Sequence, residues 1–250
     1  MVAKRIIACL DVKDGRTVKG TGFVNLKDMG DPVALAARYA EEGVDELVLL
    51  DITASLEGRH AFTQVVEEVA AAINIPFTVG GGISSVADAE RLLEAGADKV
   101  SVNSAAFRQP GLLQDIARRY GSQCLVLAID VKRVNDRFEV YSHGGTKPAG
   151  WELLAWAEAG VASGAGEILL TAMDSDGARN GFNLEACRLL SGLPVPVIIS
   201  GGAGEAVHFA DAFTVGGADA ALAAGIFHEG LLPVPVLKQY LQQQNILVRI

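Results

Sequence analysis

Ile7-Ala8-Cys9-Leu10-Asp11-Val12-Lys13 is an apolar run that closes on an aspartate, and Leu127-Ala128-Ile129-Asp130-Val131-Lys132 repeats it in the second half of the 250-residue chain. Two more pairs keep the same offset of about 120 residues. Val79-Gly80-Gly81-Gly82 answers Ile199-Ser200-Gly201-Gly202, and Gly96-Ala97-Asp98 answers Gly217-Ala218-Asp219. Such a repeat predicts a pseudo-symmetric site with one carboxylate from each half. No Pro/Ser-rich linker or charge run separates the halves. The repeat therefore reads as internal symmetry of one domain over 1–250, with halves at about 1–122 and 123–250.

Short apolar runs alternate with amphipathic stretches along the whole chain. Strands read at about 5–11, 46–51, 76–80, 98–103, 123–130, 166–171, 195–200 and 219–224. Helices fit about 32–42, 60–73, 85–95, 110–120, 150–163, 183–191, 205–215 and 233–243, with a short one at about 225–229. Asp31-Pro32 suits a helix start, and Gly43, Gly96, Gly121 and Gly216 suit helix ends. Eight strand–helix units in this length predict an α/β fold, a (β/α)8 TIM barrel. A doubly wound sheet is the weaker alternative, because no Gly-x-Gly-x-x-Gly follows the first strand.

Two connections exceed the usual 2–6 residues or so. Residues 12–30 carry Gly15, Gly20, Gly22 and Gly30 with Lys13, Lys19 and Lys27, and read as a loop that closes over substrate. Residues 131–149 contain the alternating Arg137-Phe138-Glu139-Val140-Tyr141, a small hairpin.

Strand parity then assigns the barrel interior. With Asp11 inward, Cys9, Ile7 and Arg5 follow; with Asp130 inward, Ala128, Val126 and Cys124 follow. The same parity gives Glu46, Val48 and Leu50; Lys99, Ser101 and Asn103; Glu167, Leu169 and Thr171. Asp11, Asn103, Asp130 and Thr171 then surround the mouth where barrel enzymes place their chemistry. Helix capping is the bland role for an aspartate after a strand. Long connections rather than helices follow both, which favours catalysis. Facing carboxylates suit general acid–base work when their surroundings separate their pKa values. Arg5, Glu46, Lys99 and Glu167 ring the opposite mouth, either as a self-neutralising plug or as a polar gate.

Glycine turns follow strands in both halves. Gly80-Gly81-Gly82 leads into Ser84-Ser85 and a helix, beside Asn103-Ser104. Ser200-Gly201-Gly202-Ala203-Gly204 opens the seventh helix, beside Ala224-Gly225. Backbone amides without Cβ atoms can approach a phosphate, so twin turns predict a small-molecule ligand with a phosphate at each end. Asp174-Ser175-Asp176-Gly177 either binds substrate hydroxyls or merely turns the chain.

Composition narrows the partners. A net charge of −9 argues against nucleic acid and anionic membranes. No apolar run nears the roughly 20 residues that span a bilayer, and Met1-Val2-Ala3-Lys4-Arg5 does not resemble a signal peptide. Cys9, Cys124 and Cys187 read as buried reduced thiols, the first two in strands, which suits a cytoplasmic protein. The four histidines are scattered, and neither a metal site nor a cofactor is expected.

Lys4-Arg5-Ile6-Ile7-Ala8-Cys9-Leu10-Asp11-Val12-Lys13-Asp14-Gly15-Arg16, with Val18-Lys19-Gly20, resembles the cyclase subunits of imidazole glycerol phosphate synthase. So do Leu50-Asp51-Ile52-Thr53-Ala54, Phe77-Thr78-Val79-Gly80-Gly81-Gly82-Ile83, Asp98-Lys99-Val100-Ser101, Ala128-Ile129-Asp130 and Ser200-Gly201-Gly202-Ala203-Gly204. The resemblance covers essentially the whole chain. It implies a lyase step of histidine biosynthesis, in which ammonia and a phosphoribulosyl-formimino aminoimidazole carboxamide ribonucleotide give imidazole glycerol phosphate and AICAR. That substrate carries two terminal phosphates. The family's essential acids fall on Asp11 and Asp130, and its mobile lysine on Lys19. Its phosphate contacts fall on Gly82, Asn103, Ser104, Gly177, Gly202 and Gly225. Serine is frequent at the last position, so Gly225 keeps only a backbone donor.

The resemblance turns the Arg5/Glu46/Lys99/Glu167 ring into a gate for ammonia. It implies a separate glutaminase docked on that face as a heterodimer. The rivals are the sister phosphoribosyl-formimino isomerase, which needs no ammonia, and a non-catalytic scaffold for a glutaminase.

Overall fold

A computed structural model describes residues 2–21, 24–52, 62–109 and 111–250. Gly22, Thr53, Ala54, His60 and the first residues of the helices expected from 60 and 110 lie outside them. Eight parallel strands form the barrel: β1 (Arg5–Lys13), β4 (Glu46–Asp51), β5 (Phe77–Gly80), β6 (Lys99–Val102), β7 (Leu125–Val134), β10 (Glu167–Ala172), β11 (Val197–Ser200) and β12 (Ala220–Ala223). They pair in that order, and β12 returns to β1, closing the ring. The register leads from Asp11 through Leu50, Gly80, Ser101 and Val126 to Glu167. From Leu169 it leads through Ile198 and Ala220 to Arg5. The circuit thus returns to β1 about eight residues below its start, the stagger of a (β/α)8 barrel.

The alternation expected of each strand holds. Ile6, Ala8, Leu10 and Val12 pack outward in one core under the helices, whereas Ile7, Cys9, Val48, Val126, Leu169, Ile198, Ala220 and Leu222 fill a second core inside the barrel. Thr78, Ser101 and Ser200 are also buried, and their register with Val48, Val126 and Leu222 puts them inside too. Some helices begin at side-chain caps. The Asp31 side chain accepts from Ala34 N–H at 2.8 Å, with Pro32 in the first turn, and Asn183 accepts from Ala186 N–H at 3.0 Å.

A fourfold device sets the lower rim. Before every second strand the backbone N–H of Asp45, Asp98, Gly166 or Asp219 donates to the preceding strand, to Ile6, Phe77, Leu125 and Val197 respectively. The carboxylates of Asp45, Asp98 and Asp219 accept the return bond from Ile6, Phe77 and Val197 N–H at 2.7, 2.9 and 3.1 Å. Gly166 breaks the pattern because a Cβ there would stand 2.1 Å from the Ser122 carbonyl oxygen. The residues that follow these clamps are Glu46, Lys99, Glu167 and Ala220. Three of the four members of the charged ring are therefore equivalent by fold. At the fourth place Ala220 is small, and Arg5, its neighbour in register, supplies the missing charge.

Four expectations need correction. The described residues of 12–30 are not an irregular loop: β1 continues into an antiparallel ribbon with β2 (Arg16–Thr21) and β3 (Val24–Gly30). The hairpin of 131–149 is longer, with β7 extended to Val134 and paired to β8 (Arg137–Ser142) and β9 (Lys147–Glu152). The next helix consequently starts at Leu153 rather than 150. Cys124 lies in a 3-10 turn, Ser122–Cys124, before its strand and is only half-buried. In the first case glycines and polar residues suggested irregular chain, and in the second the hairpin was read too short. Backbone pairing to an existing strand satisfies the same amides more completely.

Candidate active site

Asp11 and Asp130 occupy the same place in the two halves. Each sits where a barrel strand leaves the cylinder and becomes an antiparallel ribbon. Asp11 is in register with Leu50 on the barrel side and Val18 on the ribbon side, and Asp130 with Thr171 and Tyr141. Both carboxylates are half-buried at the mouth. Burial pushes Asp11 up to about 7, and the charge of Asp176 pushes the same way; the Cys9 thiol, 3.7 Å from Oδ1, pulls it down. Burial pushes Asp130 up to about 6. Asn103 Nδ2 donates to it at 2.9 Å and holds it lower, against the repulsion of Asp176. Asp176 is itself raised by burial, relieved by its bond from the Gly177 N–H. Three carboxylates thus share the mouth, two of them titrating near neutrality, which suits proton transfer. Thr171 and Ser200 follow Asp130 along the same level of the register. Among the described residues no group of three or more His, Cys, Asp or Glu side chains is arranged to hold a metal ion.

The glycine turns stand at equivalent rim positions, and packing gives a reason for glycine besides the approach of a ligand. A Cβ on Gly81 would lie 2.1 Å from the Asp51 carbonyl oxygen, and one on Gly202 would lie 2.1 Å from that of Gly181. Neighbouring strand-end loops press on these turns, and that packing alone demands glycine. The backbone symmetry extends to the next strand ends. Asn103 (φ −127°, ψ −93°) precedes the short helix Ser104–Arg108, and Ala224 (φ −120°, ψ −74°) precedes Gly225–His228. The Ser104 hydroxyl accepts from the His143 N–H at 2.8 Å, tying the β8–β9 turn to the first-half cradle. In the second half, His228 Nδ1 meets the Tyr39 hydroxyl at 2.6 Å; burial lowers the imidazole to about 4, so it stays neutral.

Lys19 comes off the β2 ribbon and lies over Gly225. Its Cε and Nζ are 2.6 and 2.7 Å from where a Cβ on Gly225 would stand. The ammonium is paired with Glu229, which also accepts from Arg179 at 2.5 Å.

At the opposite mouth the four predicted charges form a closed ring. Arg5 donates to Glu46 at 2.8 Å and to Glu167, while Lys99 donates to Glu46 at 3.0 Å and Glu167 at 2.8 Å. A cavity of about 350 Å³ opens on this face, lined by Lys4, Arg5, Lys99, Gln123, Glu167 and Asp219 among others.

All the singled-out residues on the described strands therefore gather at one mouth or the other. Sequence reasoning missed Asn103 as partner of Asp130, the Cys9–Asp11 contact, and Arg179 with Glu229. Parity already put Asn103 and Cys9 inward beside the aspartates, so the signal was present. For Glu229 and Arg179 there was none, because their meeting depends on loops.

The chain matches the family model for the histidine biosynthesis protein over residues 5–233. It is 56% identical over 250 residues to the imidazole glycerol phosphate synthase subunit HisF of Bacteroides fragilis. It is also 57% identical over 252 residues to the proteins of that name from Bacillus subtilis and Geobacillus kaustophilus. In each comparison the whole of both chains is covered.

Proposed function

Because this chain belongs to the histidine biosynthesis protein family, in the branch of imidazole glycerol phosphate synthase cyclase subunits, we propose that Asp11 and Asp130 share the acid–base work of ring closure. The observation that carries this reading is their common position at the two strand-to-ribbon branch points of one mouth. Ammonia adds to the ribulosyl carbonyl of the substrate, and loss of water gives an imine. Cleavage of the formimino C–N bond and ring closure then release imidazole glycerol phosphate and AICAR, a lyase reaction. Each step moves protons on nitrogen or oxygen. A carboxyl near 7 and a carboxylate near 6 can give and take them at neutral pH.

The two terminal phosphates are read onto Gly81, Gly82, Asn103 and Ser104 in one half, and onto Gly177, Gly201, Gly202, Ala224 and Gly225 in the other. Thr171, Asp176 and Ser200 lie beside the second-half turns and suit substrate hydroxyls. Lys19 supplies a cation from above. The twin cradles fit a chain built from two half-barrel repeats within one domain. The Arg5/Glu46/Lys99/Glu167 ring is read as the gate for ammonia, and Thr78 and Ser101 offer hydroxyls inside the barrel above it. The cavity on that face supports docking of a glutaminase subunit there, in a cytoplasmic heterodimer.

A direct assay tests the reading. Ammonia-dependent consumption of the ribulosyl substrate is expected. Isomerisation of its ribosyl precursor, with no ammonia-dependent turnover, would assign the sister reaction instead.

A further inference from the structure

We infer that Arg179 is a second cation of the second-half phosphate cradle, and that Glu229 holds Arg179 and Lys19 there as an internal counter-ion which a terminal phosphate of the substrate replaces. The inference deepens the proposed function and rests on it for the identity of the ligand. Glu229 closes the turn that begins at Gly225, and its two oxygens take one cation each: Lys19 from the β2 ribbon, and Arg179 from the loop after β10. The three side chains come from positions 210 and 50 residues apart along the chain. They converge on the rim at Gly225, where the atoms nearest to an added Cβ are those of Lys19.

The arrangement of Arg179 is built into the backbone. It is a non-glycine residue in the left-handed region (φ 58°), and its carbonyl oxygen stands 2.2 Å from where a Cβ on Gly204 would be. Its main chain is thereby packed against Gly204, in the turn that carries Gly202, while its guanidinium reaches Glu229 at the end of the short helix that starts at Gly225. A carboxylate that accepts charge-assisted bonds from an ammonium and a guanidinium has the chemistry of a phosphate with fewer oxygens and less charge. A phosphate dianion offers three oxygens to the same two donors and wins the exchange. The side chains of Arg179 and Glu229 are 41% and 36% exposed, so the exchange needs no opening of the core and is sensitive to salt.

The test uses the full chain with inorganic phosphate as the probe, followed by calorimetry, together with ammonia-driven kinetics. Two phosphate events are expected, one per cradle. Arg179→Met weakens one of them by about tenfold and raises KM by a larger factor than it lowers kcat, the loss of one charge-assisted contact. Arg179→Lys recovers part of the affinity. Glu229→Gln strengthens the same event by about three- to tenfold at low salt, and the gain shrinks as salt is added. Unchanged phosphate binding in both Arg179→Met and Glu229→Gln, in folded protein with normal turnover, overturns the clamp and leaves the cyclase reading standing. Absence of ammonia-driven turnover in the unaltered chain overturns the cyclase reading, whereas the phosphate titration still decides the clamp.

Discussion

Asn103 donates its side-chain amide to Asp130 across 2.9 Å, while the side-chain donor to Asp11 among the described residues, in the equivalent place, is the Cys9 thiol at 3.7 Å. A good N–H donor stabilises a carboxylate more than a weak S–H donor does, so the two acids are unequal although their backbones are alike. Asn103→Ala removes the better donor. The acidic limb of the kcat/KM profile is expected to move to higher pH, because Asp130 then holds its proton longer. A profile unmoved by the substitution would show that Asp130 does not set that limb.

Asp130→Asn keeps the shape of the side chain and its place at the ribbon branch but cannot exchange a proton. Turnover should fall by about 10²- to 10⁴-fold. The circular dichroism spectrum and phosphate binding should persist. Unchanged turnover would leave the barrel as a scaffold for another subunit.

The raised pKa of Asp11 also has a stability consequence. Its folded-state value of about 7 lies above the ordinary 3.8, so the folded protein binds this proton more tightly than the unfolded chain does. That contribution is complete below about pH 4 and is lost as pH rises toward 7, leaving a poorly solvated charge. Asp11→Asn should therefore raise stability, and with it the melting temperature, at pH 8, by at most about 4 kcal/mol, and change little at pH 4. Melting curves at the two pH values check the sign. A variant equally destabilised at both would contradict it.

Lys99→Ala opens the ring and leaves Glu46 and Glu167 with Arg5 alone. The loss is expected to cost about 2 kcal/mol, because the pair is largely but not fully desolvated. Glutamine-driven activity with a glutaminase partner should change more than activity with free ammonium. Equal effects on both routes would remove the gate from the mechanism.

Lys238→Met separates stability from function. Lys238 pairs with Asp45 at 2.9 Å, with the two side chains 6% and 2% exposed, and Asp45 is one of the lower-rim clamps. Stranding that carboxylate should cost about 3–5 kcal/mol in denaturant titration, with kcat nearly unchanged in the folded protein. A loss below about 1 kcal/mol would mean that water reaches Asp45.

The strand positions, the barrel and the opposition of Asp11 to Asp130 were legible because each rests on a local period. Inward and outward residues alternate along β1 as Ile6 to Val12 demand, and one inward aspartate orders all the rest. The first ribbon was not legible, and the second was legible only as a shorter hairpin. Gly15 does turn the chain, but Gly20 and Gly30 look like loop residues and lie in β2 and β3, where backbone pairing outweighs their propensity. The helix expected from 150 began late for the same reason, since β9 claimed Lys147–Glu152 first.

The amino-acid sequence by itself determined the repeat, the parity of each strand and the two rings of polar residues, because side-chain alternation is a property of a strand before it pairs. Only the tertiary structure decided that Gly81 and Gly202 are glycine for the sake of a neighbouring carbonyl, and that Glu229 meets Lys19 from 210 residues away. Contacts of that kind depend on the stagger of the closed barrel and on how its rim loops stack, which no short-range pattern encodes.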